Sequence, residues 1–135
     1  MTEKTLTVFG DSLGRCTANP AFEERFYELF LASSPAVAEK FAGTDFVRQR
    51  RALRASLHTM LLAVSDQESG LEKYLADLAE HHSSRDLNIG AELYDYWLDS
   101  LLTTVGECDP EHSPEVLAAW EEVMSVGIGY LLSRY

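Results

Sequence analysis

Apolar residues recur along the chain at intervals of three and four rather than two. Phe46, Leu53, Leu57, Met60 or Leu61 and Val64 form one series, Leu71, Leu75 and Leu78 a second, and Leu93, Trp97, Leu101 and Val105 a third. That period puts each series on one face of an α-helix, and strand-like alternation is nowhere sustained. Asn19-Pro20, Ser34-Pro35 and Ser113-Pro114 each set a capping side chain before a proline suited to the first helical position. With Gly70 and the Asp109-Pro110 region as breaks, the pattern predicts helices over 5–16, 20–32, 35–42, 45–65, 70–82, 90–107 and 114–134. The expectation is an all-α fold in a single domain over residues 1–135, without internal repeats.

A hydrophobic share of 46% is enough for a core that could also enclose a cofactor. The net charge of -11, with no basic stripe evident along the chain, weighs against nucleic-acid and membrane partners. The N-terminal segment lacks the apolar stretch of a signal peptide, and no run reaches the roughly 18 apolar residues that span a bilayer, so a cytoplasmic location is expected. Cys16 and Cys108 lie far apart and outside any CxxC or CxxCH pattern; they read as buried small hydrophobes rather than a disulfide or a covalent haem attachment.

Candidate chemistry begins on the helix over 70–82. At about 100° per residue, Leu75, Leu78 and His82 fall within about 40° of Leu71, whereas His81 lies about 80° to the other side. A histidine on an apolar face is more often a core side chain bonded to a carbonyl than a metal ligand. Company changes the weighing, because haem needs one strong nitrogen ligand, a flat apolar slot, and aromatic or aliphatic walls.

Phe26-Tyr27, Ser34-Pro35, Phe41, the Gln49-to-Leu53 run, the Leu78-to-His82 run, Ile89, Tyr94 and Trp120 together resemble a bacterial globin over nearly the whole chain. The likeness is greatest to the globin domain of flavohaemoglobins, in which a proline follows the Phe-Tyr pair by eight residues and a phenylalanine follows that proline by six, as Tyr27, Pro35 and Phe41 do here. From Phe41 to Gln49 the chain is about two residues shorter than that branch, and from His82 to Ile89 about two longer. The resemblance implies a globin fold, three helices over three, around haem b (iron protoporphyrin IX). His82 becomes the proximal iron ligand, Phe41 the ring packed on the haem, and Leu53, Leu57, Leu78, Ile89, Tyr94 and Trp97 the apolar walls.

On the gas-binding side the resemblance makes Tyr27 and Gln49 the distal donors. Read alone, Tyr27 would be a tethered core tyrosine and Gln49 a solvated polar residue. An O–H or N–H donor stabilises oxygen bound to iron, which carries partial negative charge, by about 1–3 kcal/mol, and carbon monoxide by much less. An amide is a poor iron ligand, so a mainly five-coordinate ferrous form is expected, open to oxygen, nitric oxide or carbon monoxide. Arg50, Arg51 and Arg85 are candidates for pairing with the haem propionates. His58 is expected to point away from the iron and His112 to lie exposed in a loop.

The flavohaemoglobin branch sets a glutamate of its last helix toward the proximal histidine; alignment from Trp120 puts Tyr135 there, although Tyr94 matches the tyrosine of that network. No Rossmann-type glycine motif occurs, so nitric oxide dioxygenation is expected only with a separate reductase. A gas sensor acting in trans, as a monomer or a homodimer through the last two helices, is a further reading. A remote one is a hydrolase, since Val8-Phe9-Gly10-Asp11-Ser12-Leu13 imitates a GDSL nucleophile block and Asp109-Pro110-Glu111-His112 its D-x-x-H partner. That chemistry needs a serine at the end of a parallel strand, where the periodicity here is helical.

Overall fold

The computed structural model describes residues 1–83 and 89–135. Among them run α1 (Glu3–Thr17), α2 (Phe22–Ser33), α3 (Pro35–Lys40), α4 (Phe46–Ser65), α5 (Gly70–His82), α6 (Ala91–Cys108) and α7 (Pro114–Ser133), and no strand.

Side-chain caps account for four of the seven helix starts among the described residues. Thr2, Ser34, Asp45 and Ser113 each accept a hydrogen bond from a backbone N–H of the turn that follows, and Pro35 and Pro114 open their helices. These oxygens satisfy donors that a first turn leaves unpaired. The Asn19-Pro20 pair behaves differently: Asn19 Oδ1 accepts from the Ala21 N–H at 2.9 Å, Pro20 lies in the turn ahead, and α2 starts only at Phe22. The capping chemistry is spent on the turn, so the helix begins two residues later than the pattern predicts.

α1 packs on α7, α2 on α6, and α4 on α5, while α7 also contacts α4, α5 and α6. At one end of the molecule Trp120 of α7 is completely buried, edge-on to Phe9 of α1 at 4.9 Å and 6.4 Å from Phe22 of α2. Among the described residues α7 is the one helix long and apolar enough by mean hydropathy to cross a membrane, although Glu121 and Glu122 interrupt its apolar run. Here it serves as a core helix, burying Val116, Ala119, Trp120, Val123, Met124 and Gly127.

A buried polar cluster closes the same end. Ser12 donates to Asp109 Oδ2 at 2.6 Å and accepts from Trp120 Nε1 at 2.8 Å, while Arg15 forks onto the carboxylate at 2.7 and 2.9 Å. Burial alone would raise the Asp109 carboxyl, but hydrogen bonds from Arg15, Ser12 and the Glu111 N–H outweigh it and hold the group at about 2. A depressed folded-state value gives stability that is complete above the unfolded value, near 4, and is lost as pH falls toward 2. The contribution is roughly 2 kcal/mol. Denaturant unfolding between pH 5 and pH 2 is expected to show this loss, and Asp109→Asn to flatten it.

The cysteines are both unpaired, Cys16 buried beside this cluster and Cys108 half-buried. Burial pushes the Cys16 thiol up to about 12, so it stays a protonated, apolar-like group.

At the other end α4 turns into α5 through a close approach. A Cβ on Gly70 would stand 1.9 Å from the Ala63 carbonyl oxygen and 2.8 Å from its carbon, both backbone atoms that a rotamer change cannot move. Gly70→Ala is expected to separate the two helices and cost about 3 kcal/mol of stability, read as a fall in the thermal midpoint. An unchanged midpoint would show that the approach is not tight.

Candidate functional site

The packing leaves a largely apolar cavity between α2, α4, α5, α6 and α7. Its empty volume is about 1030 Å³, including the part open to solvent. All ten residues singled out from the sequence line it: Tyr27, Phe41, Gln49, Leu53, Leu57, Leu78, His82, Ile89, Tyr94 and Trp97. No charged side chain lines it among the described residues.

α5 presents His82. Leu75, Leu78 and His82 follow one another at spacings of three and four, so all three reach the cavity from one helix face. His82 Nδ1 lies 2.9 Å from the Leu78 carbonyl one turn earlier. A carbonyl can only accept, so Nδ1 carries the proton and the lone pair of the neutral ring is on Nε2. That is the tautomer and the ring restraint a metal-binding imidazole needs. The same bond is also what a core histidine makes; His82 differs in being half-buried and in lining the cavity.

α2 and α4 supply Tyr27 and Gln49. The Tyr27 ring is wedged among Phe26 at 4.9 Å, Phe46 at 5.4 Å, and Phe41 at 6.2 Å. Its hydroxyl has a long contact, 3.5 Å, to the Gln49 backbone carbonyl. Burial pushes the Tyr27 phenol up to about 12, with the Gln49 contact acting the other way, so it remains an O–H donor at neutral pH. Burial likewise pushes Tyr94 up to about 12. Trp97 stands edge-on to Phe26 at 5.9 Å and Phe41 to Phe30 at 5.5 Å, so the aromatic cluster bridges α2, the end of α3 and α6.

Met60, Leu75 and Leu93, which belong to the apolar series but were not assigned to the site, also line the cavity, as do Phe30, Ala52, Ser56, Met124, Gly127, Ile128 and Leu131, which the sequence did not mark. The spacing of Met124, Gly127, Ile128 and Leu131 would have marked a helical face, but α7 is apolar on so many sides that periodicity does not select one. Gly127 is a fit to Met60: a Cβ there would fall 2.3 Å from the Met60 methyl carbon.

Several expectations are corrected. Tyr135 lies beyond the end of α7, exposed, in an open groove with Tyr96, and does not reach the cavity. The α7 wall of the cavity is instead Met124, Gly127, Ile128 and Leu131. Arg51 is exposed and, at about 100° per residue, stands about 160° around α4 from Gln49, on the face away from the lining. Arg50 is half-buried about 100° away, and Arg85 lies outside the described residues. Ser12 and Asp109 do meet, but Ser12 is completely buried on a helix and locked between Asp109 and Trp120. His112 turns Nδ1 to the Asp109 backbone carbonyl at 2.9 Å, so no esterase triad forms. His58 and His112 are exposed, with His58 Nδ1 on the Arg54 carbonyl at 2.9 Å.

An all-helical sandwich enclosing an apolar slot, with one oriented imidazole and one buried hydroxyl, defines a haem-pocket protein. The fold and the sequence agree with known proteins on this point. The sequence profile of the family described as Globin matches residues 24–131. A crystal structure from Pseudomonas aeruginosa PAO1, described as structurally highly homologous to a human hemoglobin, superposes with a TM-score of 0.91. It shares 38% identity and covers 97% of this chain and 98% of its own. No curated protein matches. The chain belongs to the globin family, adopts the globin fold, and is a haem-binding globin.

Proposed function

We propose that the cavity holds haem b, that His82 would hold its iron through Nε2, and that a diatomic gas, oxygen foremost, binds reversibly on the side of Tyr27 and Gln49. The observation that carries this reading is the His82 Nδ1 bond to the Leu78 carbonyl inside an apolar slot. When bound, haem supplies an iron with one coordination position open to a small gas.

The chain's own side chains do the rest. Leu53, Leu57, Leu78 and Ile89 keep water from the slot, which disfavours charge separation and protects the reduced state. Tyr27 and Gln49 offer the O–H and N–H that oxygen rewards more than carbon monoxide. The Leu78 carbonyl at 2.9 Å from His82 Nδ1 would orient the ring with Nε2 toward the iron.

Absorption spectra of the protein reconstituted with haem test the reading. A ferrous form whose Soret band sharpens on carbon monoxide is expected, at one haem per chain. Failure to take up haem in a defined stoichiometry would overturn it.

A further inference from the structure

Glu23 of α2 is a charged side chain where an apolar one would pack. It is only 5% exposed, on a helix whose other buried residues are Phe22, Phe26, Tyr27 and Phe30. Arg54 of α4 meets it, Nε donating to Glu23 Oε1 at 2.5 Å. Nη2 of the same guanidinium donates to the Thr17 carbonyl at 3.0 Å, one of the oxygens that the end of α1 leaves without a helical partner. One side chain thus joins α4 to α2 and to the end of α1.

Stability is a weak reason for such a joint. Taking a carboxylate out of water costs free energy that pairing at best offsets, and apolar residues of similar volume commonly hold two helices at least as firmly. What a paired guanidinium adds is direction, since its planar donors close at one spacing and one angle.

Position decides what that geometry serves. Among the described residues two polar side-chain contacts link α2 to α4: Glu23 with Arg54, and the Tyr27 hydroxyl with the Gln49 carbonyl at 3.5 Å. Tyr27 follows Glu23 by four residues and Gln49 precedes Arg54 by five, so the two contacts lie in antiparallel order along one helix crossing. They stand about 6 Å apart along α2 and about 7.5 Å apart along α4. The Tyr27 contact is long, whereas the Arg54 contact is short and charged, so the ion pair is the link that fixes the crossing.

Resting on the haem reading above, we propose that Glu23 and Arg54 are positioning residues for the distal site, setting the spacing of α2 from α4 and with it the place of the Tyr27 hydroxyl over a bound gas. Neither residue lines the cavity, so the pair acts through Tyr27 and does not touch the gas. Its effect follows how far a ligand depends on that hydrogen bond: oxygen strongly, carbon monoxide weakly.

Dissociation of oxygen and of carbon monoxide is timed in the haem-loaded wild type, Arg54→Met, Arg54→Lys and Glu23→Leu/Arg54→Met, each with and without Tyr27→Phe. The thermal midpoint is read alongside. Glu23→Leu/Arg54→Met replaces the pair by apolar side chains and leaves no buried charge, so it keeps the test open where Arg54→Met folds poorly. Oxygen is expected to leave about 3- to 10-fold faster in Arg54→Met and in the double variant, with carbon monoxide within about 2-fold of wild type. Arg54→Lys, which keeps the charge but not the fork, should fall between. In the Tyr27→Phe background the substitutions should add little, because the donor they misplace is gone. An oxygen rate indifferent to the pair, an equal acceleration of both gases, or a full effect persisting without the Tyr27 hydroxyl would overturn the inference and leave the haem reading standing. A wild-type protein that takes up no haem would contradict the proposed function, and this inference with it.

Discussion

His82→Gly is expected to abolish the five-coordinate ferrous spectrum of the haem-loaded protein, and added imidazole to restore it. The α5 face carries Leu75, Leu78 and His82 into the cavity, and the Leu78 carbonyl fixes which ring nitrogen can bind a metal. Removing the side chain leaves the apolar slot standing, so haem still partitions into it but loses its protein ligand. At least about a tenfold weaker haem affinity is expected, equivalent to about 1.4 kcal/mol. Imidazole rescue separates a missing ligand from a misfolded pocket: a variant that neither loses the spectrum nor responds to imidazole would place the ligand elsewhere.

Tyr27→Phe is expected to accelerate oxygen dissociation by about 10- to 100-fold, the range that corresponds to a lost hydrogen bond of about 1.5–3 kcal/mol to a partly charged acceptor. Carbon monoxide dissociation should change little. The Tyr27 hydroxyl suits this role because its contact with Gln49 is long, at 3.5 Å, so little is given up when it turns to a ligand. With the phenol pushed up to about 12, the wild-type oxygen off-rate should be flat through neutral and mildly alkaline pH. Flash photolysis and stopped-flow mixing read both rates. No acceleration would remove Tyr27 as the principal donor and turn attention to Gln49.

The helices were legible in the sequence because they depend on periodicity, which also turns Leu53, Leu57, Leu78 and Trp97 inward; Phe41, Ile89, Tyr94 and the donors Tyr27 and Gln49 were legible only through the resemblance to bacterial globins. Leu71, Leu75, Leu78 and His82 share a face by spacing alone, and Ser34-Pro35 and Ser113-Pro114 cap where such pairs cap. The errors have physical causes of a different kind. Asn19-Pro20 closes a turn before α2, because a local side-chain bond to Ala21 competes with the helical cap. Counting from Trp120 sets Tyr135 in the place of the last-helix glutamate, but α7 ends at Ser133 and Tyr135 lies outside the cavity. Ser12, Asp109 and Trp120 lie far apart in sequence and carry no period, so their buried hydrogen-bonded cluster appears only in three dimensions. The arginines of α4 were visible as letters, but their sidedness was not: Arg51 and Gln49 are two residues apart and on nearly opposite faces of one helix.

The central claim, that His82 binds the iron through Nε2 while Nδ1–H is held by Leu78, is tested most directly by proton magnetic resonance of the ferrous, ligand-free protein. One strongly shifted exchangeable resonance from the His82 ring N–H is predicted, slow to exchange and absent in His82→Gly. A spectrum without such a resonance, or one in which it persists in His82→Gly, would contradict the account.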